Sequence, residues 1–160
     1  MPSKLREVTL EFLEHAPKRW VFEANVDAPR SATFAAISAD PKTWKWFPGI
    51  NGGGYSGKMP PGVGTIREAR MGPAVYRETI LAWDEPERWV YRVDEMTVPM
   101  AHALVEEWLV TPNDDEDRSV VRWTFAIDPK PLFIAGGPAT PRVMGSLFRR
   151  AMRNLSVSLG

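Results

Sequence analysis

The sequence predicts one α+β domain: a strongly curved antiparallel sheet of about seven strands gripping a long C-terminal helix, with two short helices after the first strand. Three observations predict it. Residues 65–127 read as period-two segments separated by Pro and Gly turns. The last twenty or so residues carry one apolar stripe at helical spacing. At 160 residues the chain fits a single domain, and such a chain buries roughly 70% of its unfolded surface.

The elements follow in order. Residues 1–18 fit either periodicity: Val8, Leu10 and Phe12 alternate, while Leu5, Val8 and Phe12 share a helix face. They are expected to form an arm packed on a domain spanning residues 19–160. Trp20, Phe22, Ala24 and Val26 alternate with Val21, Glu23, Asn25 and Asp27, which predicts a half-buried strand. Pro29 suits the first turn of a helix whose inner face carries Phe34 and Ile37. Asp40-Pro41 repeats the device, a capping carboxylate before a proline, and predicts a second short helix with Trp44 and Phe47 that stops before Pro48.

From there the chain reads as β. Ile50 to Gly57 is a glycine-laden edge segment, and strands are expected over Thr65–Met71, Ala74–Trp83, Trp89–Met96, His102–Val110 and Val120–Ile127. Thr140 and Pro141 are read as cap and first residue of a helix running to about Leu159, with Met144, Leu147, Phe148, Ala151 and Leu155 on its apolar face. The Pro/Gly-rich stretch from Leu132 to Pro138 just before it reads as a gate. Consecutive strands with short turns pair antiparallel, and the terminal helix must cover the sheet's apolar face.

Composition excludes several classes. Twenty basic and twenty acidic residues cancel, which argues against nucleic-acid binding by blanket charge. There is no cysteine, so disulfides, thiolate nucleophiles and Cys-based metal sites are excluded. No apolar run is long enough to predict membrane insertion, and a cytoplasmic location is expected. Seven tryptophans fall largely inside strand-like segments, where they offer rigid surface for a core or a cavity wall.

Turn positions fix an expected register. A tight turn at Gly72-Pro73 sets Arg67 opposite Glu78 and Glu68 opposite Arg77, two pairs of opposite charge. Continuing through Glu85-Pro86 brings Glu78 near Val93 and Ile80 near Tyr91. In the last hairpin Trp108 falls near Trp123 and Glu106 near Phe125. The Tyr91 face is apolar and therefore inward, so Arg67, Glu78 and Glu106 should lie abreast on the concave face. A buried carboxylate there needs a partner or a raised pKa. Arg67 can pair with one or both. The residues expected to contact a ligand are Arg67, Tyr76, Glu78, Tyr91 and Glu106, with Trp108, Trp123, Phe125, Met144 and Phe148 as apolar wall. Glu78 and Glu106 are the candidates for acid–base work.

Other motifs carry less. Gly52 to Gly57 spells the dinucleotide glycine pattern but follows no strand and opens no helix. Asp114, Asp115, Glu116 and Asp117 lack the ligand spacing of a calcium loop and read as a hairpin tip. His15 is placed in the arm and His102 at a strand end. Arg142, Arg149, Arg150 and Arg153 read as a solvated helix face. No cofactor and no metal are expected.

Several stretches together resemble the START-like or SRPBCC superfamily, particularly its polyketide cyclase/dehydrase-like proteins. They are Val26-Asp27-Ala28-Pro29, Asp40-Pro41-Lys42-Thr43-Trp44 and Trp46-Phe47-Pro48. Further on come Gly62-Val63-Gly64 with Arg67, Trp83-Asp84-Glu85-Pro86-Glu87-Arg88, and Glu106-Glu107-Trp108-Leu109-Val110-Thr111-Pro112. The likeness spans about residues 19–159. It implies a helix-grip fold with a cavity between sheet and C-terminal helix, and binding of lipids, polyketides or similar molecules. The first expectation is therefore a binder of a small hydrophobic or aromatic molecule, resting on Trp20, Tyr91, Trp108 and Trp123. The second is a cyclase or dehydratase using a cavity glutamate. The third is a protein-interaction module similar to chaperone-activator domains, which predicts a filled interior. Either a monomer or a homodimer fits the sequence.

Overall fold

In the computed structural model, which describes residues 1–160, the strands are β1 (Ser3–Lys4), β2 (Lys18–Val26), β3 (Ile50–Ser56), β4 (Ile66–Met71), β5 (Ala74–Asp84), β6 (Arg88–Met96), β7 (Ala101–Pro112) and β8 (Ser119–Pro129). The helices are α1 (Phe12–His15), α2 (Arg30–Ile37), α3 (Pro131–Ile134) and α4 (Ala139–Leu159), with one 3-10 turn at Pro41–Thr43. All strands join one antiparallel sheet in the order β2-β8-β7-β6-β5-β4-β3. β7 pairs with β6 only over Arg88 to Arg92. β1 takes the vacated edge, setting Ser3 opposite Met96 and Lys4 opposite Glu95.

The hairpins have the expected register. Arg67 faces Glu78 and Glu68 faces Arg77. Glu78 faces Val93 and Ile80 faces Tyr91, while Trp108 faces Trp123 and Glu106 faces Phe125. Two register shifts interrupt the β5–β6 pairing: Asp94 is the extra residue of β6 opposite Arg77 and Glu78, and Leu81 is that of β5 between Ile80 and Ala82. An extra residue bends a strand and switches which face the following side chains occupy. After the second shift Ala82 lies in the outer cluster, while Trp83 packs against the inner one.

β3 is the far edge of the sheet. Its Gly53 has φ of 129°, and a Cβ there would come within 2.0 Å of the Glu68 carbonyl oxygen. Only glycine lets the two backbones approach so closely.

The helices differ from expectation at their ends. The second short helix is a single 3-10 turn. The Asp40 carboxylate accepts from the Lys42 N–H, as a cap should, but the turn ends at Thr43. Trp44, Trp46 and Phe47 then all enter the core, and the Trp44 indole donates to the Ala39 carbonyl at 3.1 Å. α4 starts at Ala139, so Thr140 lies inside the helix rather than capping it. The Ala139 and Thr140 N–H groups bond to the carbonyls of Gly136 and Gly137, so the preceding turn does the work of a side-chain cap. Its 21 residues span roughly 32 Å at 1.5 Å per residue. Phe148, Ala151, Met152 and Leu155 are its fully buried apolar residues.

The main core fills the space between the concave face, α2 and α4. The N-terminal residues cover the convex face. Leu13 joins Ala82, Val90, Val105 and Ala126 in a second cluster, flanked by Val8, Leu10 and Phe12. Backbone bonds from Leu5 to Asp94 and from Arg6 to His102 hold this segment in place. No helix is long and apolar enough to cross a membrane.

Candidate functional site: a polar-ended apolar cavity

Between the concave sheet and α4 lies a cavity of about 250 Å³, with fifteen apolar residues among its eighteen lining side chains. β4 brings Arg67 and Ala69, β5 brings Tyr76 and Glu78, and β6 brings Tyr91. β7 adds Leu104, Glu106 and Trp108, and β8 adds Trp123 and Phe125. Phe133 of α3 and Met144 and Leu147 of α4 form the roof. Alternation along antiparallel strands brings these side chains to one face.

The apolar wall is an aromatic array. Trp108 and Trp123 stack with centroids 5.4 Å apart and planes 19° from parallel. Phe125 meets Trp123 edge-on at 5.8 Å and stacks on Phe133 at 6.3 Å.

Three charged groups occupy the polar end. Arg67 is buried, 2% exposed, and its Nε donates to Glu78 Oε2 at 2.5 Å. Its guanidinium carbon lies 4.5 Å from the Tyr91 ring centroid, 4.6 Å from Trp89 and 5.2 Å from Trp44. Cation–π attraction thus supplements the ion pair. Nη1 of Arg67 is buried without a hydrogen-bond partner. Burial pushes the Glu78 carboxyl above its ordinary range and the Arg67 charge opposes that push. With a guanidinium in direct contact, the pair is an ionised one.

Glu106 is held differently. Its Oε2 accepts from the Tyr91 hydroxyl at 2.6 Å and from the Trp123 indole at 2.9 Å. Arg67 makes no bond to it, and Oε1 has no partner in the protein. Burial is the main cause that pushes the Glu106 carboxyl up to about 7, against the two donated hydrogen bonds. Burial also raises Tyr91 and, to a lesser degree, Tyr76, so both remain phenols.

Of the residues expected to contact a ligand, nine line the cavity: Arg67, Tyr76, Glu78, Tyr91 and Glu106 at or near the polar end, with Trp108, Trp123, Phe125 and Met144 around it. Phe148 does not. It is fully buried and packs behind the wall, 5.8 Å from Trp123 and 6.2 Å from Trp108. The helix turns Met144 and Leu147 toward the cavity and Phe148 toward the core beside them. Trp20 also stays outside, packing on Phe125 and Phe133. His102 is exposed and clear of the cavity.

Sequence reasoning leaves Trp44, Phe47, Ile50, Met71, Met100 and Leu104 unassigned to the site. It gives Trp44 and Phe47 to a helix that in fact ends before them. Ala69 shares the Arg67 face and is readable from alternation. Tyr55 carries no sequence signal of its role: from β3 its hydroxyl donates to the Ser38 carbonyl at 2.7 Å, and burial raises its pKa while Arg67 opposes the shift.

A curved antiparallel sheet closed over a long C-terminal helix, with a cavity between, defines a START-like, helix-grip ligand-binding fold. The chain belongs to the family described as polyketide cyclase/dehydrase and lipid transport, whose sequence model matches residues 5–159. Solved structures share the fold at low identity. A START superfamily protein from Mycobacterium smegmatis superposes with a TM-score of 0.70 at 13% identity, over 88% of this chain and 96% of that one. Ginseng major latex-like protein 151 from Panax ginseng gives 0.72 at 12%, over 89% and 97%. Norcoclaurine synthase from Thalictrum flavum, in complex with dopamine and hydroxybenzaldehyde, gives 0.63 at 18%, over 98% and 96%. No curated protein matches the sequence significantly.

Proposed function

We propose that the protein binds a small apolar or aromatic molecule in this cavity, with the molecule's polar group set against Glu106 and the Arg67–Glu78 pair. The predominantly apolar lining around one polar end is the observation that carries the reading. An enclosed apolar body supplies affinity through buried area, while a few placed polar groups fix orientation. The cavity also weighs against an interaction module with a filled interior.

Trp44, Trp108 and Trp123 line the cavity, so their fluorescence reports on its occupant. Titration with indole, naphthol and decanoate should give a saturable change for at least one probe. Ala69→Trp, which fills the cavity from β4, should abolish it. If no probe saturates below roughly 1 mM, an affinity of about 4 kcal/mol, the reading fails.

A second reading is favoured by one feature of Glu106: a carboxyl that titrates near neutrality and keeps an oxygen free toward the cavity suits a general acid or base. Glu78 suits that work less well because Arg67 holds it. In this reading Glu106→Gln retains ligand binding and loses turnover.

A further inference from the structure

We propose that the cavity takes an organic cation: an amine with an aromatic or apolar body, its ammonium group set against the unpartnered oxygen of Glu106. The inference rests on the ligand-binding reading above and names the chemical class for it.

Charge balance is the first argument. The lining holds two carboxylates, Glu78 and Glu106, and one cation, Arg67. Arg67 is bonded to Glu78 through Nε, so those two charges cancel. Glu106 is left as the cavity's one carboxylate without a cation. Its two protein partners, Tyr91 and Trp123, are neutral donors, and both use Oε2. They steady that oxygen but neutralise nothing. Oε1 remains for the ligand.

Nothing else on the surrounding elements supplies the missing charge. The titratable or charged groups facing Glu106 are Arg67 of β4, Tyr76 and Glu78 of β5 and Tyr91 of β6. β8 brings the Trp123 indole and Phe125, and α3 and α4 bring only Phe133, Met144 and Leu147. A bound anion would meet a second like charge at this end. A neutral ligand would leave Glu106 to be protonated near neutrality, where burial already places its titration. An ammonium group completes the balance and holds Glu106 ionised.

The walls suit a cation as well. Tyr91, Trp108 and Trp123 meet at Glu106: the Trp108 indole donates to the Tyr91 hydroxyl at 3.5 Å, and Tyr91 and Trp123 both donate to Glu106. These in-plane donors meet at one end of the cavity and fix Oε2, leaving Oε1 to an ammonium group. Beside it, the Arg67 guanidinium lies over the rings of Tyr91, Trp89 and Trp44, so this end of the fold already stabilises one cation by aromatic faces.

The test compares three probes of similar shape on the full chain by tryptophan fluorescence: phenethylamine, phenethyl alcohol and phenylacetate. At about pH 8 the amine should bind at least ~10-fold more tightly than the alcohol, with phenylacetate weakest. Glu106→Gln should reduce the amine's advantage to within about threefold. The wild-type protein supplies an independent readout should that variant fold poorly. Protonating Glu106 between about pH 8 and pH 5.5 should cut the amine-to-alcohol ratio by at least ~10-fold. An alcohol that saturates as tightly as the amine, or a ratio that ignores pH, overturns the amine assignment and leaves a ligand-binding cavity. If none of the three saturates below about 10 mM while indole, naphthol or decanoate saturates below about 1 mM, the amine assignment alone falls; if none of the six does, the ligand-binding reading falls too.

Discussion

Replacing Glu106 by glutamine tests whether the cavity's free carboxyl titrates where its surroundings place it. The folded protein raises that carboxyl from 4.5 to about 7, chiefly by burial. The fold therefore binds the proton more tightly than the unfolded chain does, and falling pH stabilises the fold. This contribution is complete below the unfolded value of 4.5 and is lost as pH rises through about 7. At about 1.36 kcal/mol per pH unit, the linkage amounts to about 2–3 kcal/mol between about pH 5 and pH 8. The Glu106→Gln variant has no such proton to lose, yet its amide keeps an oxygen for Tyr91 and Trp123. The stability of the variant relative to wild type should therefore improve by about 2–3 kcal/mol from pH 5 to pH 8. Urea unfolding of both proteins at both pH values measures it. Other carboxylates titrate alike in the two proteins and cancel in the difference. A difference constant to within about 0.5 kcal/mol would refute a raised Glu106.

Three further perturbations separate the roles of neighbouring residues. Arg67→Met leaves Glu78 buried and alone, and should cost about 3–5 kcal/mol, while adding Glu78→Leu should recover most of that loss in a double-mutant cycle followed by urea unfolding. Trp108→Ala removes one member of the stacked pair and should cost about 3–5 kcal/mol in thermal or chemical unfolding, while shifting binding toward bulkier aromatic probes. Gly53→Ala sets a Cβ against the Glu68 carbonyl oxygen at a positive φ. It should cost at least ~1 kcal/mol, with amide exchange along β3 accelerating before that of β6 to β8.

The sheet is legible because its information is local. The Arg67–Glu78 and Glu68–Arg77 pairs mark the β4–β5 register by charge, and short turns carry that register onward to Tyr91. The side chains of the cavity face then follow from alternation alone. Phe148 escapes such reading because a helix stripe contains both cavity-facing and core-facing residues, and spacing does not separate Leu147 from its neighbour. What the sequence leaves open is whether Arg67 serves Glu78 alone or Glu106 as well. Glu78 and Glu106 share a face, and the choice between them depends on Tyr91 and Trp123 reaching Glu106 from adjacent strands. Residues 1–18 fit both periodicities, yet Leu5, Val8 and Leu10, which carry them, lie between the two elements that form. Ser3 and Lys4 extend the sheet, while Phe12 to His15 turn as a helix on its outer face. That outer cover depends on Ala82, Val90, Val105 and Ala126 forming one patch across four strands, which no single segment reveals.

The two ends of the cavity depend on each other through Glu106. A partly open cavity of about 250 Å³ with a mainly apolar lining closes over unless rigid side chains hold its walls apart. Its walls must therefore resist collapse without an occupant. Trp108 and Trp123 are large enough to do so only if their rings stay in place, and polar atoms hold them there. The Trp123 indole is tied to Glu106, and the Trp108 indole is tied through Tyr91 to the same carboxylate. Glu106 thus positions the aromatic wall with one oxygen and offers the other to the cavity. The two roles separate by substitution. Glu106→Gln keeps the acceptor and discards the charge, so the wall stands and ligand selectivity changes. Glu106→Ala discards both, so the rings lose their common anchor and the cavity loses its shape as well as its polarity.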